Sequence, residues 1–384
     1  MNQLRLFSFG TAALAAVAFP LMAQVGPDNS GWAHPPIVVL PQPATAVPSV
    51  SGFKPAQIRK GYGLASITNK GAGQTIAIVD AYDNPDAESD LGKFTAQFSL
   101  PACTTANGCF KVIYASGTKP RANRSWAGES SLDIEWSYAM AVKAKIILVE
   151  AASASSPALL HAVDVAVANG ATIVSMSWSG SEYGTETSDD SHFNVSGVTF
   201  CASSGDSGHG VGYPAASPYV VGVGGTTLHL ASGGVWSSET AWSGSGGGQS
   251  SVEGEPSYQA SAQNSGKRGI PDVAWVADPN TGVAVYSQYG FGGWVVVGGT
   301  SVGSPSWAGL FAVINSSRHT AGKSNLTQPQ FALYPAAEAD YHDITSGTNG
   351  SCGTLCKAVT GYDYVTGVGS PQANLLVPAL VAAP

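Results

Sequence analysis

The sequence predicts a three-layer α/β domain built around a mostly parallel central sheet. Continuous apolar, β-branched runs recur along the chain, and segments with helical spacing separate them. The 47 glycines and 23 prolines add many tight turns and long ordered loops between those elements.

The expected strands are 75–81, 111–115, 145–151, 172–177, 198–202 and 219–223, and the expected helices 129–143, 157–169 and 305–316. The stretch 233–293 is richer in Gly and Ser and reads as loops and hairpins. No internal repeat is evident. A length of 384 residues allows one large domain or two ordinary ones.

Charged residues make up only 11% of the chain, against ~25% for an average soluble protein, so Ser, Thr, Asn and Gly must cover much of the surface. A net charge of −8 with only 17 Lys plus Arg argues against a nucleic-acid partner. Few basic groups also limit self-repulsion once carboxylates protonate, which suits acidic surroundings.

Arg5, the apolar run 10–22 and Leu21-Met22-Ala23 before Gln24 read as an export signal over residues 1–23. That run is too short for a membrane span of ~20 residues, so the expected product is secreted, soluble and free of the membrane. Residues 24–50, rich in Pro, Ala and Val without helical or strand period, read as a linker or short pro-segment. The folded domain is expected over 51–384.

Five cysteines fit an oxidising compartment. Cys103 and Cys109 bracket one short loop and Cys352 and Cys356 another, so each pair is expected to form a local disulfide. Cys201 is left as a buried thiol in an apolar run. Zinc is the rival reading, but no His stands at ligand spacing from either pair.

Four features carry chemistry. In Gly298-Gly299-Thr300-Ser301-Val302-Gly303-Ser304-Pro305, an apolar strand runs through glycines and a serine into a helix with Pro in its first turn. Such a turn exposes a hydroxyl where helix N–H groups favour developing negative charge; a Gly/Ser-rich loop is the plainer reading. None of the seven histidines lies in a context typical of a serine-peptidase base. Glu129 and Asp133, at i and i+4 of a helix, share one face, and facing a cleft they can share a proton and supply a base of raised pKa. Isolated, that spacing more often marks a solvated helix start, but Leu132, Ile134 and Trp136 argue for a covered helix. Asp206, in Ser204-Gly205-Asp206-Ser207-Gly208 after a strand, sits where α/β proteins place their sites and, protonated, could donate to an oxyanion; a plain turn competes. Asp343, with Asp363 after Gly361-Tyr362, suits a hard cation such as Ca²⁺ completed by backbone carbonyls, against ordinary Asx-turns.

Taken in order, Glu129-x-x-Leu-Asp133-x-Glu-Trp136, Ser-Gly-Asp206-Ser-Gly, Gly-Thr-Ser301-x-x-x-Pro305 and Asp343-x-Thr-Ser-Gly with Gly361-Tyr-Asp363 resemble the sedolisin family of serine-carboxyl peptidases. The resemblance runs from about Gly52 to the C-terminus and implies a subtilisin-like fold. It implies Ser301 as nucleophile, Glu129 as general base and then acid, Asp133 tuning Glu129, and Asp206 as oxyanion donor. It further implies one calcium ion held by Asp343 and Asp363 side chains and the carbonyls of Ile344, Val359 and Gly361. By similar context, Asp80 and Trp178 would extend the carboxylate network. The chain departs from the family pattern in Val359, where glycine is more usual, and in Gly298, where serine is commoner. It also has only residues 24–50 between the signal and the domain, where members carry a long prodomain. The expected function is a monomeric acid-acting endopeptidase on protein or peptide substrates. The alternatives are a His-dependent subtilase of the same fold, a non-catalytic binding protein on a peptidase scaffold, and a glycosidase. The glycosidase is disfavoured because one helix face cannot flank a scissile bond.

Overall fold

The computed structural model describes residues 32–35, 37–40, 50–336 and 338–384. The expected signal peptide, residues 1–23, lies outside them, as do 24–31 and 41–49.

The strands that matter to the site are β1 (Val38–Leu40), β2 (Thr75–Ala81), β3 (Phe110–Tyr114), β4 (Lys145–Ala151), β5 (Ile173–Met176), β6 (Thr199–Ser203), β7 (Val220–Ala231), β8 (Val235–Ala241), β9 (Val273–Val276), β10 (Val283–Ser287) and β11 (Gly293–Gly298). The principal helices are α1 (Pro55–Gly61), α2 (Ala87–Gln97), α3 (Arg124–Met140), α4 (Ser156–Ala168), α5 (Gly303–Thr320) and α6 (Ala373–Ala382). The central sheet runs β8-β7-β6-β5-β2-β4-β3, with β9 also paired to β7. Every pairing in it is parallel except the β7–β8 hairpin.

Alternation along the strands sorts side chains into two layers. Ile76, Ile78, Ile146, Leu148 and Ile173 pack with α3 and α5 in one core, whereas Ala77, Val79, Ala81, Val149, Val174 and Met176 pack with α4 in the other. Asp80 belongs by period to the first set, facing α3. Burial of the sheet on both faces explains why its strands read as apolar runs rather than alternating ones.

The expected 75–81 and 145–151 match β2 and β4 at both ends, and the others shift by a residue or two, except that β7 runs on to Ala231. Three corrections follow. Helix α3 starts at Arg124, where the Asn123 side chain accepts from Trp126 N (3.2 Å), so Glu129 is not a helix start. The loop-rich 233–293 stretch does contain hairpins, but its four-residue β9 joins the main sheet in register Val273↔Val223 to Val276↔Thr226. Lastly, the stretch taken as a linker without strand period contains β1, antiparallel to β11. Both expected disulfides form, Cys103–Cys109 and Cys352–Cys356, and Cys201 is a free, buried thiol in β6.

Candidate active site

The junction between β11 and α5 is shaped by its glycines. Gly298 lies so close to Pro279 that a Cβ would stand 2.4 Å from its nitrogen, and Gly299 adopts φ 109°, a conformation that side-chain-bearing residues avoid. The chain then turns through Thr300–Val302 into α5, leaving Ser301 at the head of the helix. Pro305 falls in the first turn, where its missing N–H costs nothing.

Helix α3 brings the carboxylates. At Gly309 of α5 a Cβ would meet Met140 Cβ at 2.5 Å and the Ser137 carbonyl at 2.7 Å, so glycine permits the close approach of α5 to α3. Glu129, Asp133 and Ser301 are all fully buried. The Ser301 hydroxyl lies beside the Glu129 carboxyl, near enough to favour its charged form, although the contact falls short of a formed hydrogen bond. Catalytic contacts of this kind commonly tighten only around substrate. Burial first, and then the charge of Asp80, push the Glu129 pKa well above the ordinary carboxylate range. Asp133 is raised by the same two causes and then by Glu129, while a hydrogen bond from Ser177 Oγ to its Oδ1 (2.9 Å) opposes them. Asp80, raised by burial and then by Glu150, has no hydrogen-bond partner on either oxygen. Glu150 stands opposite Asp80 in the β2–β4 register and is itself raised to about 8, chiefly by burial.

Asp206 approaches from the loop after β6. Its Oδ1 accepts from Thr300 N (2.8 Å) and Thr300 Oγ1 (2.9 Å), while its Oδ2 is shielded and unpartnered. Burial raises its pKa to about 7 despite the two Thr300 bonds. Thr300 Oγ1 also accepts from Gly205 N (3.1 Å), locking that loop against the nucleophile turn. In acid Asp206 is therefore protonated, held against Thr300, the residue before Ser301.

The structure therefore brings together Ser301, Glu129, Asp133, Asp206 and Asp80. Trp178 is different: its indole N–H donates to the Val79 carbonyl (2.9 Å), so it clamps the end of β2 beside Asp80 and bonds no carboxylate. Two contributors escaped sequence reading. Ser177 bonds both Asp133 and the Ser301 carbonyl (3.3 Å), and Thr300 orients Asp206. The only hint of Ser177 was its even spacing from Ile173 along one strand. No described hydrogen bond joins a histidine to Ser301.

Asp343 and Asp363 lie in the loops after α5. Gly361 N donates to both oxygens of Asp343 (3.2 and 3.1 Å), and Val359 N donates to Asp363 Oδ2 (3.1 Å). Among the described hydrogen bonds none uses the carbonyls of Ile344, Val359 or Gly361. Two carboxylates with three uncommitted carbonyls form an oxygen set of the kind a hard cation takes. The loops are tied to the oxyanion side: Ser245 Oγ donates to Val365 O (2.8 Å), and Gly246 N to Gly205 O (2.7 Å).

A subtilisin-like α/β fold carrying a serine–carboxyl site defines the class, and comparison places the chain within it. The chain belongs to the sedolisin family. It is 30% identical to sedolisin of Pseudomonas sp. (strain 101) over 90% of its length and 65% of the relative's. It is 34% identical to kumamolisin of Bacillus sp. (strain MN-32) over 81% of its length and 60% of the relative's. It is 30% identical to xanthomonalisin of Xanthomonas sp. (strain T-22) over 88% of its length and 48% of the relative's. It thus spans about half to two-thirds of these curated relatives. The solved structure of Pseudomonas sedolisin, a serine-carboxyl proteinase complexed with pseudo-iodotyrostatin, superposes with a TM-score of 0.76 at 29% identity, covering 86% of this chain and 98% of that one. No protein-family model matches the chain.

Proposed function

We propose that the chain is a secreted serine-carboxyl endopeptidase acting in acid on protein or peptide substrates. The observation that carries the reading is a buried Ser301 hydroxyl beside Glu129, with Asp133 and Asp80 acting on Glu129's charge and Asp206 held against Thr300 with an unpartnered Oδ2.

Glu129 takes the Ser301 proton as Oγ attacks the peptide carbonyl carbon. Protonated Asp206 and the Ser301 backbone N–H hold the resulting oxyanion. Glu129 then returns the proton to the leaving amine, and water releases the acyl group by the same route reversed. The base must be ionised and the oxyanion donor protonated at once. Asp80 raises Glu129 and Asp133, and Glu129 raises Asp133, so the three carboxyls cannot all ionise together and lose their protons in steps. Activity is then bounded above by loss of the Asp206 proton at about 7. The acid limb of the profile is then set by ionisation of the carboxyl cluster and the alkaline limb by Asp206, with no histidine required.

One calcium ion would sit between Asp343 and Asp363 with the carbonyls of Ile344, Val359 and Gly361. It would neutralise two carboxylates and cross-link loops that buttress the Asp206 loop. The expected working form is a soluble extracellular or periplasmic monomer; no helix among the described residues is long and apolar enough to cross a membrane. A pH–rate profile on a chromogenic peptide, for the wild type beside Ser301→Ala and Glu129→Gln, tests the reading. Turnover that survives Ser301→Ala would refute it.

A further inference from the structure

Helix α3 is gripped from behind by the hairpin that delivers the nucleophile. Arg124, Gly128, Ser131 and Glu135 recur at i, i+4, i+7 and i+11, so they form one stripe along the helix. Each meets the β10–β11 hairpin. Arg124 Nη1 donates to Tyr289 O (3.1 Å), and its guanidinium lies 5.2 Å over the Tyr289 ring. The hydroxyls of Ser131 and Ser287 are 3.1 Å apart, and Tyr286 N donates to Glu135 Oε2 (3.1 Å). At Gly128 the contact is tightest. A Cβ there would stand 2.7 and 2.8 Å from Cε2 and Cε1 of Phe291, and a Cβ on Gly290 would stand 2.7 Å from Gly128 Cα. The half-buried Phe291 ring therefore rests on the helix backbone one residue before Glu129. By the same period Glu129 and Asp133 fall on the other side of the helix, where Ser301 lies. The helix cannot fix Glu129 by itself. Glycine at 128 loosens a helix interior, and Ser130 and Ser131 Oγ turn back to Ala127 O (3.2 and 2.9 Å), which bends helices. What packs behind this turn decides how far forward Glu129 sits. Its contact with Ser301 falls short of a hydrogen bond, so a small recession of the helix is enough to lose it.

We infer that Phe291 is a positioning residue for the proposed reaction: its ring, wedged on Gly128, holds Glu129 forward against the Ser301 hydroxyl. The inference rests on the peptidase reading above. It makes the hairpin a strut with two ends. β10 grips α3, while β11, paired with β10 from Val283↔Val297 to Ser287↔Gly293, runs directly into the Ser301 turn. Base and nucleophile are thus set from one element. The acidic groups facing Glu129 are Asp80 from β2, Asp133 from its own helix and Asp206 from the loop after β6. No described hydrogen bond joins any of the three to residues 284–291. Substitutions at Phe291 therefore reach Glu129 through the helix backbone rather than through these carboxyls.

The test is a two-residue cycle in the full-length chain. Phe291→Ala and Gly128→Ala should each lower kcat on a chromogenic peptide by about 10- to 100-fold, with KM within about twofold, because a misplaced base costs turnover rather than substrate binding. Alanine at 128 improves helix propensity, so its effect does not come from a weakened helix. In the double variant the new Cβ occupies space the ring has left, and kcat should exceed that of Gly128→Ala alone by about fivefold or more. Phe291→Leu keeps an apolar wedge and should stay within about threefold of wild type. A second readout needs no turnover. In the Ser301→Ala protein, the carbon-13 NMR titration of the Glu129 carboxyl should move to lower pH on Phe291→Ala, because water enters behind a group whose pKa is raised chiefly by burial. Single losses that simply multiply, a loss carried in KM, a leucine variant as slow as alanine, or an unmoved Glu129 titration overturns the positioning role. No turnover by the wild type, with the Glu129 titration moving as expected, overturns the peptidase reading instead and supports the contact.

Discussion

Replacing Asp206 in two ways separates its charge from its proton. Oδ1 is committed to two Thr300 donors at 2.8 and 2.9 Å, which leaves Oδ2 as the one oxygen able to carry and donate a proton. In Asp206→Ala that donor is gone, and kcat should fall about 10²- to 10³-fold, as for removal of one oxyanion donor elsewhere. In Asp206→Asn, the Thr300 N–H and hydroxyl select the amide oxygen for the Oδ1 position, which turns the NH₂ to the place of Oδ2. The variant then donates at every pH. Its kcat in acid should stay within about tenfold of wild type, because a single neutral donor replaces another. The difference lies in the descending limb of the profile. In the wild type the donor is lost as pH rises through about 7; in Asp206→Asn that limb should vanish or move upward. The assay is kcat against pH on a chromogenic peptide, with near-ultraviolet circular dichroism to verify folding. An Asp206→Ala enzyme within threefold of wild type, or an Asn variant with an unmoved descending limb, would refute the assignment of Asp206 as oxyanion donor.

Ser301→Ala should abolish nearly all turnover, and Glu129→Gln should cost about 10²- to 10⁴-fold in kcat, the usual worth of a positioned base; a residual rate above a few per cent in either would contradict the mechanism. Glu129→Gln should nevertheless leave the melting temperature at neutral pH equal or higher, because a buried neutral amide replaces a carboxyl whose ionisation burial opposes. Thermal stability of the wild type should fall from about pH 4 to pH 8. Glu150 and Glu186 at about 8 and Glu253 at about 7 are raised above their unfolded values, so the folded state holds protons that the unfolded chain has released. Their stabilisation is complete below the ordinary carboxylate range and is lost as pH rises through 7–8; a melting temperature that climbs over this interval would show the sign to be wrong. Chelation of calcium should lower the melting temperature by several degrees and depress activity through the Asp206 loop, with Ca²⁺ restoring both and Asp363→Asn abolishing the response.

What was legible in the sequence follows the physics of each element. β2 and β4 were readable end to end because burial on both faces makes their middles continuous apolar runs, Ile76–Val79 and Ile146–Val149, with polar residues only near the ends: Thr75 and Asp80, Lys145 and Glu150. β9 and β1 were not, since a four-residue and a three-residue segment carry too few positions for a period to emerge, and their strand character comes from partners distant in sequence. The four chemical residues were readable because their residue types and order are informative. Their supports, Ser177 and Thr300, were not: serine and threonine are everywhere in a chain so poor in charge, and nothing local marks those whose hydroxyls meet a carboxylate. Trp178 shows the limit from the other side, since its context was recognisable while its bonding partner, a strand carbonyl, is settled only by packing.

The electrostatic design of the site is clearest against the buried carboxylates elsewhere in the same fold. Asp272 is buried beside Arg268 with contacts of 2.7 and 2.6 Å, so a full cation compensates it. Glu239 has no cation but accepts from Tyr62, Thr226, Trp236 and Ser370 at 2.5–2.9 Å, which saturates both oxygens. At Asp80, Glu129 and Asp133 the chain supplies neither remedy. None of the described ion pairs involves them, and Asp80 Oδ1 and Oδ2, Glu129 Oε1 and Oε2 and Asp133 Oδ2 all lack partners. Three such groups cannot all ionise in a dry interior, because each charge would raise the next. They can share protons, and in the proposed mechanism a shared proton would let Glu129 accept from Ser301 and later give back without a new charge appearing. Replacing Asp80 by its neutral isostere removes one member of the set. If proton sharing is the working principle, Asp80→Asn takes away the charge that raises Glu129, so the acid limb of the kcat profile should move to lower pH, and an unmoved acid limb would show that Asp80 takes no part.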